Sequence, residues 1–387
     1  MAAEDQMLSV APGDRVLEGR PRAAAETIVG TGGQEMPRVR FTRGRLLAFA
    51  LFVVSIVAFL YFVLPKLLGL QETWNRLQQG NAWWLALAAA FTVLSFAAYV
   101  WLFRAVFVRG DSRIGWGVSY QITMAGLAAT RLFAAGGAGG IALTAWALRR
   151  SGLGPRTVAA RMIAFLVLLY GVYMAALVID GLGLYVGVFS GPAPFAITLV
   201  PAIFGAVVIA VFLGMALVPG DLERLVIRWT PGEHWGGRAA RKLAALPGTA
   251  ATGVRTAIAL TRTNDPALVG TIAWWILNIA ILWACFHAFG HAPPKAVIVM
   301  AYFVGMLGNL LPLPGGVGGV DGGMIGAFTA FGVNLELAVV AVLAYRAFAF
   351  WLPTLPGAVA YLQLRRTMQR WRASEDRGGG SEVPSYT

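Results

Sequence analysis

Six stretches of this chain, Leu46–Leu64, Ala82–Phe103, Met162–Gly187, Phe195–Val218, Ala267–Phe289 and Leu337–Leu362, carry almost no charge. Each is about 20 residues long, the length an α-helix needs to cross roughly 30 Å of hydrocarbon. The same constraint governs the backbone, because hydrocarbon offers N–H and C=O groups no partners outside the chain. With 58% hydrophobic and 13% charged residues, the composition excludes an ordinary soluble domain. The sequence therefore predicts an all-α polytopic membrane protein.

Basic residues set its expected orientation. Arg38, Arg40, Arg43 and Arg45 precede the first span, Arg104, Arg109 and Arg113 follow the second, and Arg365, Arg366, Arg370 and Arg372 follow the last. Of 31 Lys/Arg, only Lys66, Arg76 and Lys295 fall in outer loops if these clusters are cytoplasmic. Residues 1–37 and 367–387 are then cytoplasmic disordered tails, 38–366 is the membrane domain, and 219–265 is its longest cytoplasmic loop. Within that loop Leu222, Leu225, Val226 and Trp229 recur at helical spacing, which reads either as an interfacial helix or as a surface helix packed on the protein's own loops. The formal charge of +13 lies in clusters beside apolar segments, with no motif that reads a nucleic-acid groove, so no nucleic-acid partner is expected.

Two further apolar stretches are not plain spans. Trp116–Leu148 is basic beyond both ends and is interrupted by Arg131 and by Gly136, Gly137, Gly139 and Gly140. Asn309–Phe331 reads NLLPLPGGVGGVDGGMIGAFTAF, with Pro314, Gly315, Gly316, Gly318 and Gly319 ahead of its one acid, Asp321. Non-helical backbone survives at membrane depth only where protein buries it or where it lines a wet cavity. The apolar run from Gly322 to Gly332 would be about 15 Å long as a helix, half a bilayer core. Both stretches are read as re-entrant hairpins, the first entered from the cytoplasm and the second, 296–332, from outside.

The two turns superimpose at an offset of 179: GGAGGI at Gly136–Ile141 against GGVGGV at Gly315–Val320. Each turn lies between two spans, and the charge rule gives units 82–187 and 267–362 opposite orientations. Inverted repeats with broken helices point to a transport site near the midplane; close helix packing through glycine is the simpler alternative.

Charges inside the apolar segments are Arg131, Asp180, Asp321 and Arg346, each costing on the order of 2.5–3.5 kcal/mol at membrane depth. Arg131 and Arg346 suit a lipid phosphate, or a structural pairing with an acid or with carbonyls of a broken helix. Asp321 suits the N-cap of the return half-helix, a cation or proton site, or an arginine partner. Asp180 is expected near the outer interface and solvated. His287 and His291, at i, i+4 beside Cys285, lack any further ligand cluster, so neither metal nor cofactor is expected. No Walker lysine, GxSxG or paired-carboxylate arrangement supports an enzyme, and loop 219–265 offers Asp221, Glu223, Glu233 and Asp265 without a DxD-like cluster for a lipid or glycosyl transferase.

At PLPGGVGGVDGG, Pro312–Gly323, followed by AYRAFAFWLPTLPG, Ala344–Gly357, the sequence resembles the lysylphosphatidylglycerol synthase transmembrane-region family of flippase-like proteins. The resemblance covers roughly residues 46–366 and implies a multi-pass protein of the bacterial inner membrane that handles lipids. The aminoacyl-transfer domain of the name-giving members is not expected after the last span, so lysyl transfer is not implied. Asp321 stands where the family often has Glu, and GGIALTAW stands where many members carry an acid, which leaves the lipid open. The reading is a non-enzymatic flippase or transporter of a lipid or lipid-linked molecule, with a small-solute transporter as alternative and envelope-synthesis enzymes as further partners. Its candidate site for an anionic headgroup comprises Arg131, Gly136, Gly137, Gly139, Gly140, Asn309, Pro314, Gly315, Gly316, Gly318, Gly319, Asp321 and Arg346.

Overall fold

The computed structural model of the chain describes residues 79–108, 114–132, 138–217, 251–263, 265–311 and 316–378. All belong to the unit Val39–Thr387, and among them all regular structure is helical. The expected span Leu46–Leu64 and the segment 222–229 lie outside the described residues, as do Gly136, Gly137, Pro314 and Gly315.

The other five expected spans are each helical. They are α1 (Ala82–Phe107), α4 (Pro155–Tyr185), α5 (Phe195–Leu217), α6 (Pro266–Phe289) and a continuous run from Leu335 to Trp371. Local chemistry fixes their ends. Asn81 and Asp265 cap α1 and α6 by accepting the backbone N–H of Trp83 (3.0 Å) and Ala267 (2.9 Å). Pro155 and Pro266 occupy first-turn positions, where a missing N–H costs nothing. Along α5 the buried residues are Thr198, Pro201, Ala202 and Gly205, all in its first half, so this helix turns most of its surface outward.

The two glycine-interrupted stretches form helical hairpins, α2 (Trp116–Leu132) with α3 (Ala138–Arg150), and α7 (Lys295–Met306) with α8 (Gly319–Ala330). A 3-10 turn, Leu307–Leu310, extends α7. Both hairpins close on small residues. A Cβ on Gly140 would lie 2.4 Å from the Gly126 carbonyl oxygen, and one on Gly308 would lie 2.3 Å from Gly319 backbone atoms. Gly126 faces Thr144, and Gly305 faces Gly323; the two pairs are related by the same offset of 179 as the glycine turns. Small residues let backbones approach where lipid supplies no hydrophobic drive for helix association.

Packing is reciprocal between the repeats. Helix α1 packs along α6; α2 packs on the last helix, α10 (Thr354–Gly378), as α7 packs on α4. The centre is α9 (Leu335–Arg346), which is buried without a break from Ala338 to Arg346 and starts on Asn334, whose side chain accepts the Leu337 N–H. Gly332, at φ +83, ends α8 in the left-handed region and lets the chain turn into α9.

Three features differ from the sequence reading. The last span is broken by a π-helical turn, Ala347–Trp351, where Leu352 N–H bonds to Ala347 O. Pro353 follows directly; it has no N–H to continue an α-helical ladder. Second, α10 runs on to Gly378, into the stretch expected as a polar tail, because Ala360, Leu364 and Met368 form a buried stripe and Thr367 Oγ1 donates to Gln121 Oε1 on α2 (2.9 Å). Third, residues 251–262 of the expected polar loop are helical, with Ala251, Val254, Ala257 and Leu260 buried and Gly253 tight against Ile163 of α4.

Candidate functional site

Three helix ends bring charge together beside Phe350. Asp321 enters from the first turn of α8. The sequence suggests it as the N-cap, but the helix begins earlier, at Gly319, with Gly318 at φ +84 as the cap and Asp321 at the third position. There its Oδ2 accepts the Gly318 N–H at 2.8 Å, satisfying one of the donors that a helix start leaves open. Its Oδ1 lies 2.6 Å from Arg346 Nε, an ion-pair contact rather than an aligned hydrogen bond. The two side chains are only 3% and 10% exposed. Capping and pairing with arginine thus coexist in one carboxylate.

Arg346 ends α9, and its guanidinium carbon stands 4.3 Å from the centre of the Phe350 ring. Arg131 reaches the same ring from the last turn of α2, at 4.9 Å, and lies 5.9 Å from Phe96. Their separation cannot exceed about 9 Å, the sum of their distances to the shared ring centre. Arg131 is held by backbone. Nη1 donates to Phe350 O (2.7 Å) and to Thr354 Oγ1 (3.4 Å), and Nη2 donates to Ala349 O (3.0 Å). Pro353 explains that acceptor, since the α-register donor to Ala349 O would be the N–H that proline lacks. Of the readings open to Arg131, pairing with carbonyls of a broken helix is the one present, and the helix is the last span rather than its own hairpin.

The site joins two guanidinium groups to one carboxylate, a formal excess of one positive charge among these three side chains. Each cation–π contact contributes roughly 0.5–2 kcal/mol, so Phe350 offsets part of the mutual repulsion. Such a constellation can accept an anion without first acquiring a cation from solution.

The glycines serve the geometry around it. Gly319 lies at the crossing with Gly308, and Gly140 at the crossing with Gly126. Gly139 lies in the first turn of α3. Gly316, at φ +66, leaves room for Asn309, whose Oδ1 would be 2.3 Å from a Cβ there. Asn309 itself is exposed and directs Nδ2 to Met306 Sδ at 3.8 Å. Phe350, Gly126, Gly305 and Gly308 were not evident as site or hinge residues in the sequence, although the offset of 179 also relates Gly126 to Gly305. His287 stacks on Trp84 (4.5 Å) and meets the edge of Trp283 (4.6 Å), while His291 lies beyond the end of α6. Among the described residues no group of three or more His, Cys, Asp or Glu could hold a metal ion. Asp180, expected to be solvated, is buried at 7% exposure.

Helix lengths, apolar surfaces and two glycine-closed hairpins around a charged centre define a polytopic α-helical membrane protein. The chain belongs to the family described as the lysylphosphatidylglycerol synthase TM region, which matches residues 46–357. It is also similar to UPF0104 membrane proteins of Methanothermobacter thermautotrophicus. One is 32% identical over 99 residues, 25% of this chain and 28% of the relative. Others are 36% identical over 86 residues (22% and 26% of the two chains) and 34% identical over 87 residues (22% and 26%). Each match therefore spans about a quarter of the relative's length.

Proposed function

We propose that the protein moves a lipid or lipid-linked molecule across the bacterial inner membrane, binding its anionic headgroup between the two hairpins while the acyl chains remain in the bilayer. The observation that carries this reading is the pair of guanidinium groups on Phe350 sharing one carboxylate at the meeting point of both hairpins and the broken span. On this reading the hairpins are re-entrant and the repeats inverted, both termini are cytoplasmic, and the protein changes no covalent bond of its cargo. Arg131 and Arg346 contact the headgroup, and the glycine crossings of the hairpins open and close around it. The reciprocal packing of the two repeats supports such alternation, because equivalent contacts allow one half to rock against the other.

The test is movement of a fluorescent phosphatidylglycerol between leaflets in proteoliposomes. Arg131→Ala and Arg346→Ala, inserted at parental levels, are each expected to lower its rate at least several-fold. Parental rates in both variants would overturn the headgroup site. Gradient-driven uptake of a free organic anion, with no lipid movement, would instead establish a small-solute transporter.

A further inference from the structure

The charged centre at Phe350 does not use every buried charge. Asp321 has both oxygens engaged, by Gly318 N–H and by Arg346. Asp180 of α4 is also buried, 7% exposed, and its Oδ2 has no hydrogen-bond partner.

Its surroundings follow from its helix register. Tyr173, Leu177, Asp180 and Leu184 form one buried stripe at three- and four-residue spacing. At one end of the stripe the Tyr173 hydroxyl donates to Phe303 O of α7 at 2.6 Å. At the other, Leu184 and Val297 of α7 both flank Gly191, 3.2 and 2.7 Å from where its Cβ would be. Asp180 lies between these contacts along α4, and Met300 Cε of α7 stands 3.2 Å from the Cβ position of the adjacent Gly181; on α7, Val297, Ile298, Met300 and Ala301 are 1% exposed or less. Beside it, Gly181 brings α4 onto α5, with Thr198 O 2.6 Å from its Cβ position.

Neither wall supplies a counter-charge. Helix α5 carries no Asp, Glu, Lys, Arg or His, and the Thr198 hydroxyl already donates to Pro194 O. On α7 the one charged residue, Lys295, is exposed, and Tyr302 pairs with Tyr345. The remaining elements against α4 contribute Tyr99 and Arg104 (α1), Arg149 and Arg150 (α3), Cys285 and His287 (α6), and Arg255 and Arg262 (residues 251–262); α4 itself adds Arg156, Arg161, Tyr170 and Tyr185. None of them is hydrogen-bonded to Asp180 Oδ2. An ionised Oδ2 so enclosed would lose its hydration with no hydrogen bond to replace it.

We propose that Asp180 is a proton-binding site. Its carboxyl holds a proton while α7 covers it and gives that proton to water when the second hairpin moves off α4. Proton binding and hairpin position are therefore linked, whatever the cargo. An ionised Asp180 favours the open arrangement and a protonated one the closed.

The test uses the full chain in phosphatidylethanolamine–phosphatidylglycerol liposomes and dicyclohexylcarbodiimide, an apolar reagent that adds to protonated carboxyls from the membrane phase. Peptide mass spectrometry is expected to find the adduct on Asp180 at about pH 6, several-fold less at about pH 9, and none on Asp321. In a second arm, a cysteine at Ala301 in the Cys285→Ser background reports uncovering of the hairpin by its maleimide reaction rate. That rate should rise with pH several-fold more steeply with Asp180 present than in Asp180→Asn, which also corrects for ionisation of the thiol. Absence of the Asp180 adduct at every pH, or identical pH profiles at position 301, overturns the proposal; the first arm stands even if Asp180→Asn fails to fold.

Discussion

Replacing Asp321 by Asn tests what holds the second hairpin to the broken span. The carboxylate meets Arg346 at 2.6 Å with both side chains nearly enclosed, and breaking such a buried pair by removing one partner costs about 3–5 kcal/mol because the other charge stays uncompensated. Asn still offers an oxygen to the Gly318 N–H, so loss of the cap, about 0.5–2 kcal/mol, is not added. Phe350 faces the guanidinium in parent and variant alike, so that contact leaves the difference unchanged. The expectation for Asp321→Asn is therefore destabilisation of about 3–5 kcal/mol, with Asp321→Ala less stable still. Combining Asp321→Asn with Arg346→Met removes both charges and should restore much of the loss. Chemical unfolding of the purified protein, followed through the fluorescence of its 13 tryptophans, orders the parent, the two Asp321 variants, Arg346→Met alone and the double variant. A parental midpoint for Asp321→Asn, or a double variant as unstable as the sum of the singles, would refute the reasoning.

Hairpin closure predicts opposite effects for two glycines of the second hairpin. Gly308→Ala places a Cβ 2.3 Å from Gly319 backbone atoms and should destabilise by about 1–3 kcal/mol, whereas Gly322→Ala, with nothing within 4 Å inside α8, should stabilise by up to about 1 kcal/mol; the same unfolding assay reads both, and equal midpoints would refute the tight crossing. For the re-entrant reading of the first hairpin, single cysteines at Arg113 and Arg156 in the Cys285→Ser background should both be shielded from an impermeant thiol reagent in intact cells while one at Arg76 reacts. Labelling of 113 and 156 from opposite sides would make α2 and α3 part of a full crossing.

The existence of the spanning helices followed from the sequence because a continuous apolar run of about 20 residues can satisfy its backbone in hydrocarbon as a helix, so apolar length alone identified α1, α4, α5, α6 and the region of α9 and α10. Asp265–Pro266 also carried its helix start in local chemistry, whereas α4 begins at Pro155, seven residues ahead of the start read at Met162. The glycine turns and their offset of 179 marked where helices break, and the cost of burying charge singled out Arg131, Asp321 and Arg346. What the sequence left open was which charge meets which. Arg131 and Ala349 are 218 residues apart, and only the packing of α2 against α10 brings a guanidinium to a carbonyl that Pro353 cannot serve. Asp321 looked like a cap because the residue before a helical run is the usual capper; the glycines ahead of it let the helix begin three residues earlier, at Gly319, which placed the carboxylate at the third position, where it meets Arg346. Asp180 looked solvated because it stands near the end of its span, but α5 and α7 close over that end. Depth and partner are properties of the neighbours that a helix acquires, and they were decided by tertiary structure.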